Sequence, residues 1–164
     1  MKRRKCWKRS TGRDDSGFPG WRSPLFRYNS GVYLVDGNNV MGQRVGWHRD
    51  KPGAQRRLLR ELADLNRSGS VEVAVVFDGR PLGEVGDGGA LDGVSVYFAR
   101  RGSDADHRML ELVREASEPA RIIAVTSDRR LDESLRTLGA RTIRSGRFRK
   151  MLDEETNERD SRLA

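Results

Sequence analysis

The feature that most constrains this chain is a set of short apolar runs that are continuous rather than alternating. Val32-Tyr33-Leu34-Val35, Val71 to Phe77, Val94 to Phe98 and Ile122-Ile123-Ala124-Val125 each read as a strand. A strand apolar at nearly every position buries both faces, which calls for a mostly parallel sheet covered on both sides by helices. Helical stripes lie between the runs. Leu58, Leu59, Leu62 and Leu65 form one, and Ala105, Met109, Leu112, Val113 and Ala116 another. Leu131, Leu135 and Leu138 form a third, with Gly139 as its C-terminal stop. Arg141-Thr142-Ile143 is a weaker fifth strand before a short last helix around Phe148, Met151 and Leu152. Gly79 to Gly93, with glycines at 83, 86, 88, 89 and 93, shows no helix and reads as a flexible loop.

Length and charge set the limits around this core. The 164 residues allow one ordinary domain and an appendage. The formal charge of +8 suggests a nucleic-acid partner, but it is unevenly spread. Residues 1–30 hold nine Lys and Arg against Asp14 and Asp15, whereas residues 31–164 hold 23 against 22 acids. The basicity therefore belongs to a tail without periodicity, expected to be disordered in isolation. Trp7, Phe18, Trp21, Phe26 and Tyr28 are interleaved with its cations, a pattern that can grip phosphates and stack on unpaired bases. The plainer readings are a solvated extension or a start codon assigned too far upstream, while Asp14 and Asp15 speak against an Arg-rich organellar presequence. The expected layout is a basic tail over 1–30, a domain over 31–153 and a fraying charged tail over 154–164. No apolar run is long enough to span a membrane and no apolar stretch follows the basic start, so a cytoplasmic location is expected. One cysteine, Cys6, leaves neither an internal disulfide nor a Cys-rich zinc site.

Open parallel sheets bind ligands at the carboxyl ends of their strands, and here that edge is acidic. Asp36 follows the first strand, Asp78 the second and Asp128 the fourth, while Asp104 and Asp106 open the helix after the third. Gathered carboxylates raise one another's pKa unless cations sit among them. Hard ions such as Mg²⁺ or Mn²⁺ take oxygen ligands, and two of them about 4 Å apart can drive phosphodiester hydrolysis. Each acid also has a purely structural reading. Asp36 and Asp78 each precede a glycine as turn residues do, Ser103-x-x-Asp106 fits a capping box, and Asp128 can cap the helix bearing Leu131. The coincidence of all of them on one edge favours the functional reading. His107, near that edge, reads more simply as a solvated residue.

Four motifs occur in order: Val35-Asp36-Gly37-Asn38-Asn39-Val40, Val76-Phe77-Asp78-Gly79, Gly102-Ser103-Asp104-Ala105-Asp106 and Val125-Thr126-Ser127-Asp128. Together they resemble the YacP-like branch of the NYN domains, within the PIN-like ribonucleases. The resemblance spans about residues 31 to 153. It implies a PIN-like three-layer α/β/α sandwich with a central, mostly parallel sheet, and a Mg²⁺- or Mn²⁺-dependent nuclease acting on RNA. By position it makes Asp36, Asp106 and Asp128 the catalytic, metal-holding acids and Asn39 the polar residue that orients the site. Asp104 is a further metal candidate, with Asp78 and Asp132 in support. Asn38 departs from the pattern, in which a tyrosine is common.

The expected function is a metal-dependent ribonuclease, endonucleolytic rather than exonucleolytic. Its partner is RNA, with mRNA, rRNA and tRNA undistinguished, free or within an assembly such as the ribosome. Arg100, Arg101, Arg129 and Arg130 flank the acids and are candidates to hold the RNA backbone. The alternative is a non-catalytic RNA-binding protein with a degenerate site. A receiver-like or phosphatase-like phosphotransfer domain is a third class. It fits poorly, because Asp36-Gly37-Asn38-Asn39 is not an Asp-x-Asp pair and the residue directly after the last strand is Arg144, not a lysine.

Overall fold

The computed structural model describes residues 31–68, 71–81, 83 and 85–164. The N-terminal tail, with the RNA grip expected of it, lies outside the described residues. The elements run β1 (Val32–Asp36), α1 (Gly37–Met41), α2 (Lys51–Ser68), β2 (Glu72–Phe77), β3 (Gly89–Leu91), β4 (Val94–Phe98), α3 (Ala105–Glu115), β5 (Ile122–Val125), α4 (Arg129–Thr137), β6 (Arg141–Ile143) and α5 (Ser145–Leu163). The strands form one six-stranded sheet in the order β3-β4-β2-β1-β5-β6. All neighbours are parallel except β3, which pairs antiparallel with β4.

The continuous apolar strands do what their composition requires. Val35, Val75, Phe77 and Val125 point to one face, where Leu58, Leu59 and Leu62 of α2 and Phe148 and Leu152 of α5 bury them. Leu34, Ala74, Val76, Tyr97 and Ala124 point to the other, under Met109 and Leu112 of α3 and Leu131 and Leu135 of α4. This is the expected three-layer sandwich. β1 lies within it, flanked by β2 and β5, so its carboxyl end opens between two neighbouring strand ends.

Three local expectations are corrected. The stretch after Gly79 is not wholly loop, because Gly89–Leu91 pairs with β4 as a hairpin. Leu91 opposes Val94, leaving a two-residue turn of Asp92 and Gly93 at φ of 49° and 85°. Asp-Gly at positive φ is a favoured hairpin turn, but the arm before it is too short and too rich in glycine to read as a strand. Asp87 then pins the preceding loop, accepting from the Phe98 amide at 2.9 Å and pairing with Arg108 at 3.0 Å. The second correction concerns the cap of α3. Asp104, not Ser103, takes that position, accepting from the His107 amide at 2.9 Å.

The third concerns α5, which runs through Leu163 instead of fraying after Asp153. Its apolar stripe does end near Leu152. Beyond it the helix is held to α2 by charge, through Arg159 with Asp64, while Arg149 meets Glu61 at 2.8 Å further back. Ion pairs between helices leave no apolar periodicity to detect.

Gly37 sets the angle at which the chain leaves β1. A Cβ there would stand 2.4 and 2.5 Å from the Phe77 ring and 3.1 Å from a Val75 methyl. Gly37→Ala should therefore cost about 1–3 kcal/mol through overpacking, read as a lower urea midpoint. An unchanged midpoint would show that the exit from β1 yields easily.

Candidate active site

The site is assembled from the way the chain leaves three neighbouring strands. Asp36 ends β1 and caps α1, its Oδ1 accepting from the Asn39 amide at 3.2 Å. The two asparagines that follow reach in opposite directions. Asn38 Oδ1 accepts from the Asp78 amide at the exit of β2, and Asn39 Oδ1 from the Ser127 amide beyond β5, each at 3.3 Å. One turn of helix thereby ties the central strand end to both neighbours.

The ties continue outward on each side. Asp78 Oδ1 accepts from the Ala105 amide at 2.7 Å, fixing the start of α3 and with it Asp106. On the other side Thr126 Oγ1 accepts from the Asp128 amide at 3.1 Å, and Asp128 caps α4 by accepting from the Leu131 amide at 2.9 Å. Ser127 Oγ accepts from the Ser145 amide at 3.1 Å, docking the start of α5 on the same edge.

The electrostatics reflect four carboxylates sharing this space. Asp36 is only 4% exposed. Burial pushes its pKa up to about 7, the Asn39 amide opposes that rise, and the charges of Asp106, Asp78 and Asp128 add to it. Asp106 is also raised, first by partial burial and then by Asp104, Asp128 and Asp78. A carboxylate shifted so far by burial and like charge marks a functional-site candidate.

The remaining sequence candidates fall into distinct roles. Asp104 is exposed, caps α3 and meets the His107 ring at 2.8 Å, and these contacts hold its carboxyl below the usual range. Asp132 lies one turn into α4 and pairs with Arg136 at 3.2 Å. Arg129 and Arg130 are the first two residues of α4, exposed beside Asp128. Arg101 is exposed after β4, whereas Arg100 is engaged by Glu111 at 3.1 Å.

Sequence reasoning missed the structural work of Asn38, Ser127 and Thr126. Asn38 registers there only as a departure from a family pattern. Its hydrogen bond spans 40 positions in sequence, so no local spacing could announce it.

The donors at this edge are carboxylate oxygens, with no thiol among them, which suits a hard divalent cation. Among the described residues no group of three Asp, Glu, His or Cys side chains could by itself hold a metal ion. Mg²⁺ sites commonly use one or two carboxylates, with water and substrate phosphate completing the shell, and Asp36 with Asp106 or Asp128 fits that pattern.

A family model for the YacP-like NYN domain matches residues 33–164. The chain belongs to that family. Its membership makes this a nuclease-type domain of the PIN-like group. Two crystal structures of Rae1 (YacP) from Bacillus subtilis, one of them a point mutant, match with a TM-score of 0.64 at 21% identity. Each match covers 80% of this chain, and 80% or 79% of the Rae1 chain. At that identity the likeness speaks for the fold. No curated protein matches the chain. Among the described residues no helix is long and apolar enough to cross a membrane.

The raised pKa of Asp36 has a signed consequence. The folded protein holds a proton there up to about pH 7, while an unfolded Asp releases it near pH 4. The folded state thus binds more protons in that window, and stability falls as pH rises from about 4 to 7. Asp36→Asn removes the penalty. In EDTA at pH 8 the variant should melt higher than wild type, with the gap closing towards pH 4. A gap independent of pH would show that Asp36 is not held at a raised pKa.

Proposed function

We propose that this protein is a divalent-metal-dependent ribonuclease that cuts RNA internally, with Asp36, Asp106 and Asp128 as its metal-holding acids. The observation that carries the reading is the buried Asp36 surrounded by the charges of Asp78, Asp106 and Asp128 at the carboxyl edge of a parallel sheet. Such a cluster is costly when empty, and a divalent cation offsets the cost. Family membership supports the same chemistry.

Each residue then has a task. Asp36, Asp106 and Asp128 supply oxygen donors, and Asp78, with one oxygen committed to Ala105, keeps α3 in place. Asn38 and Asn39 hold the strand exits so that these carboxylates stay close despite their repulsion. Mg²⁺ or Mn²⁺, when bound, supplies a Lewis acid and lowers the pKa of its water. Arg129 and Arg130 hold the phosphate backbone beside Asp128, and Arg101 offers a weaker contact across the edge. The substrate is RNA, free or within the ribosome, and the setting is the cytoplasm.

A circular single-stranded RNA is the decisive substrate, because only an internal cut opens a circle. With Mg²⁺ or Mn²⁺ the wild-type protein should open it, and EDTA should stop the reaction. Asp36→Asn should lower the rate by roughly a hundredfold or more. Salt-dependent RNA binding with no cleavage under any metal would instead establish a binding protein with a silent site. Undiminished cleavage by Asp36→Asn would remove Asp36 from the chemistry.

A further inference from the structure

The cations around the acidic edge are unequally available. On the side of β4 and α3, Arg101 is exposed, but Arg100 is engaged by Glu111, and Arg108 is buried between Asp87 and Glu111 with its guanidinium over the Tyr97 ring. On the side of β5, β6 and α5, Arg129, Arg144, Arg147 and Lys150 are all exposed, and among the described residues none has an acidic partner. Arg136 joins them in a fixed pose, its Nε donating to Asp132 at 3.2 Å and to Thr142 Oγ1 at 2.8 Å. That leaves its terminal nitrogens without a bond among the described residues.

These side chains line two adjoining depressions. The first, about 90 Å³, is bounded by Thr126 to Arg129 together with Asp132, Arg136 and Thr142 to Arg144. The second is an open groove of about 500 Å³ whose walls include Gln43, Arg147 and Lys150. The turn Arg144-Ser145-Gly146 separates them. It is anchored to the active edge by the Ser145 amide on Ser127, next to Asp128. The Ser145 hydroxyl in that turn is fully buried and has no partner among the described residues. The first depression thus begins at Asp128 and the second lies along the start of α5, with three exposed cations on the first turns of α5 or just before it.

We propose that the RNA backbone leaves the acidic edge over the start of α5, its phosphates held by Arg144, Arg147 and Lys150, with Arg129 and Arg136 gripping the phosphate nearest the carboxylates. The inference rests on the ribonuclease reading and adds a direction to it. Guanidinium forks match phosphate oxygens, and backbone contacts fix register without reading sequence. The path is therefore indifferent to base identity. Acids prevail at the cutting point and cations beyond it, so a strand drawn along the cations passes its phosphodiester over the carboxylates.

The test uses the full chain and a short fluorescein-labelled single-stranded RNA, in EDTA so that nothing is cut. Arg144→Ala/Arg147→Ala is compared with wild type by anisotropy over a salt series. The control is Arg114→Ala/Arg162→Ala. Arg114 lies in the last turn of α3, and Arg162 near the far end of α5, roughly 25 Å from its start. Circular dichroism melts establish that the exposed substitutions leave the fold intact. The α5 variant should bind roughly tenfold more weakly, and the slope of log affinity against log salt should fall by about 0.7 for each phosphate it no longer neutralises. The control should bind as wild type does. With metal present, the α5 variant should show a raised KM at unchanged kcat. Wild-type affinity and slope in the α5 variant, while the wild-type protein still cuts RNA, would overturn the path and spare the nuclease. A wild-type protein that neither binds nor cuts RNA would overturn both.

Discussion

The rest of this structure depends on how the chain leaves its central strand. A carboxylate placed at the end of β1, 4% exposed and close to three others, is electrostatically unfavourable. It persists because the turn behind it is held from both sides. Asn38 holds the exit of β2, Asn39 that of β5, and Asp36 takes the Asn39 amide for itself. Gly37 permits the turn by lying against Phe77, where no Cβ fits. The same short segment creates the repulsion and resists it. The result is a carboxylate held under electrostatic strain by the fold around it.

Charge plays three separate parts in the molecule. At the carboxyl edge of the sheet acids are concentrated, and burial with like charge raises the pKa of Asp36 and Asp106. On the face covered by α2 and α5, acids and arginines are matched, with Arg149 tied to Glu61 and Asp153 and Arg44 tied to the same two. Around the start of α5 the cations are unmatched. The net charge of the chain describes none of these regions, because its excess lies in residues 1–30. Which cations lack acidic partners, not their sum, distinguishes the surface around the start of α5 from the rest of the domain.

The Asp-Gly dipeptide shows how much was legible. It occurs at Asp36-Gly37, Asp78-Gly79, Asp87-Gly88 and Asp92-Gly93, always as the same local turn signal. The first begins a helix, the second opens a loop with Gly79 at φ 99°, the third turns into β3 with Gly88 at φ 77°, and the fourth closes a hairpin. The strands on either side choose between these outcomes, so the dipeptide alone could not. The capping of α4 by Asp128 was legible because a cap acts over three residues. At α3 the same rule points to Ser103, one residue early, since neighbouring Ser103 and Asp104 both suit the role.

By itself the sequence determined the layered α/β core and the placing of an acid after β1, β2 and β5. Both follow from local rules, the first from strands apolar on two faces and the second from chain position at a strand end. Tertiary structure alone decided which acid would be desolvated, since burial depends on every element packed around it. Only the packing of α5 on α2 carried the last helix past Asp153, through Arg159 and Asp64. Only the folded structure docked Ser145 on Ser127 and brought Arg144, at the start of α5, to the depression that Asp128 lines. Charges distant in sequence act on one another through space, and space is what folding supplies.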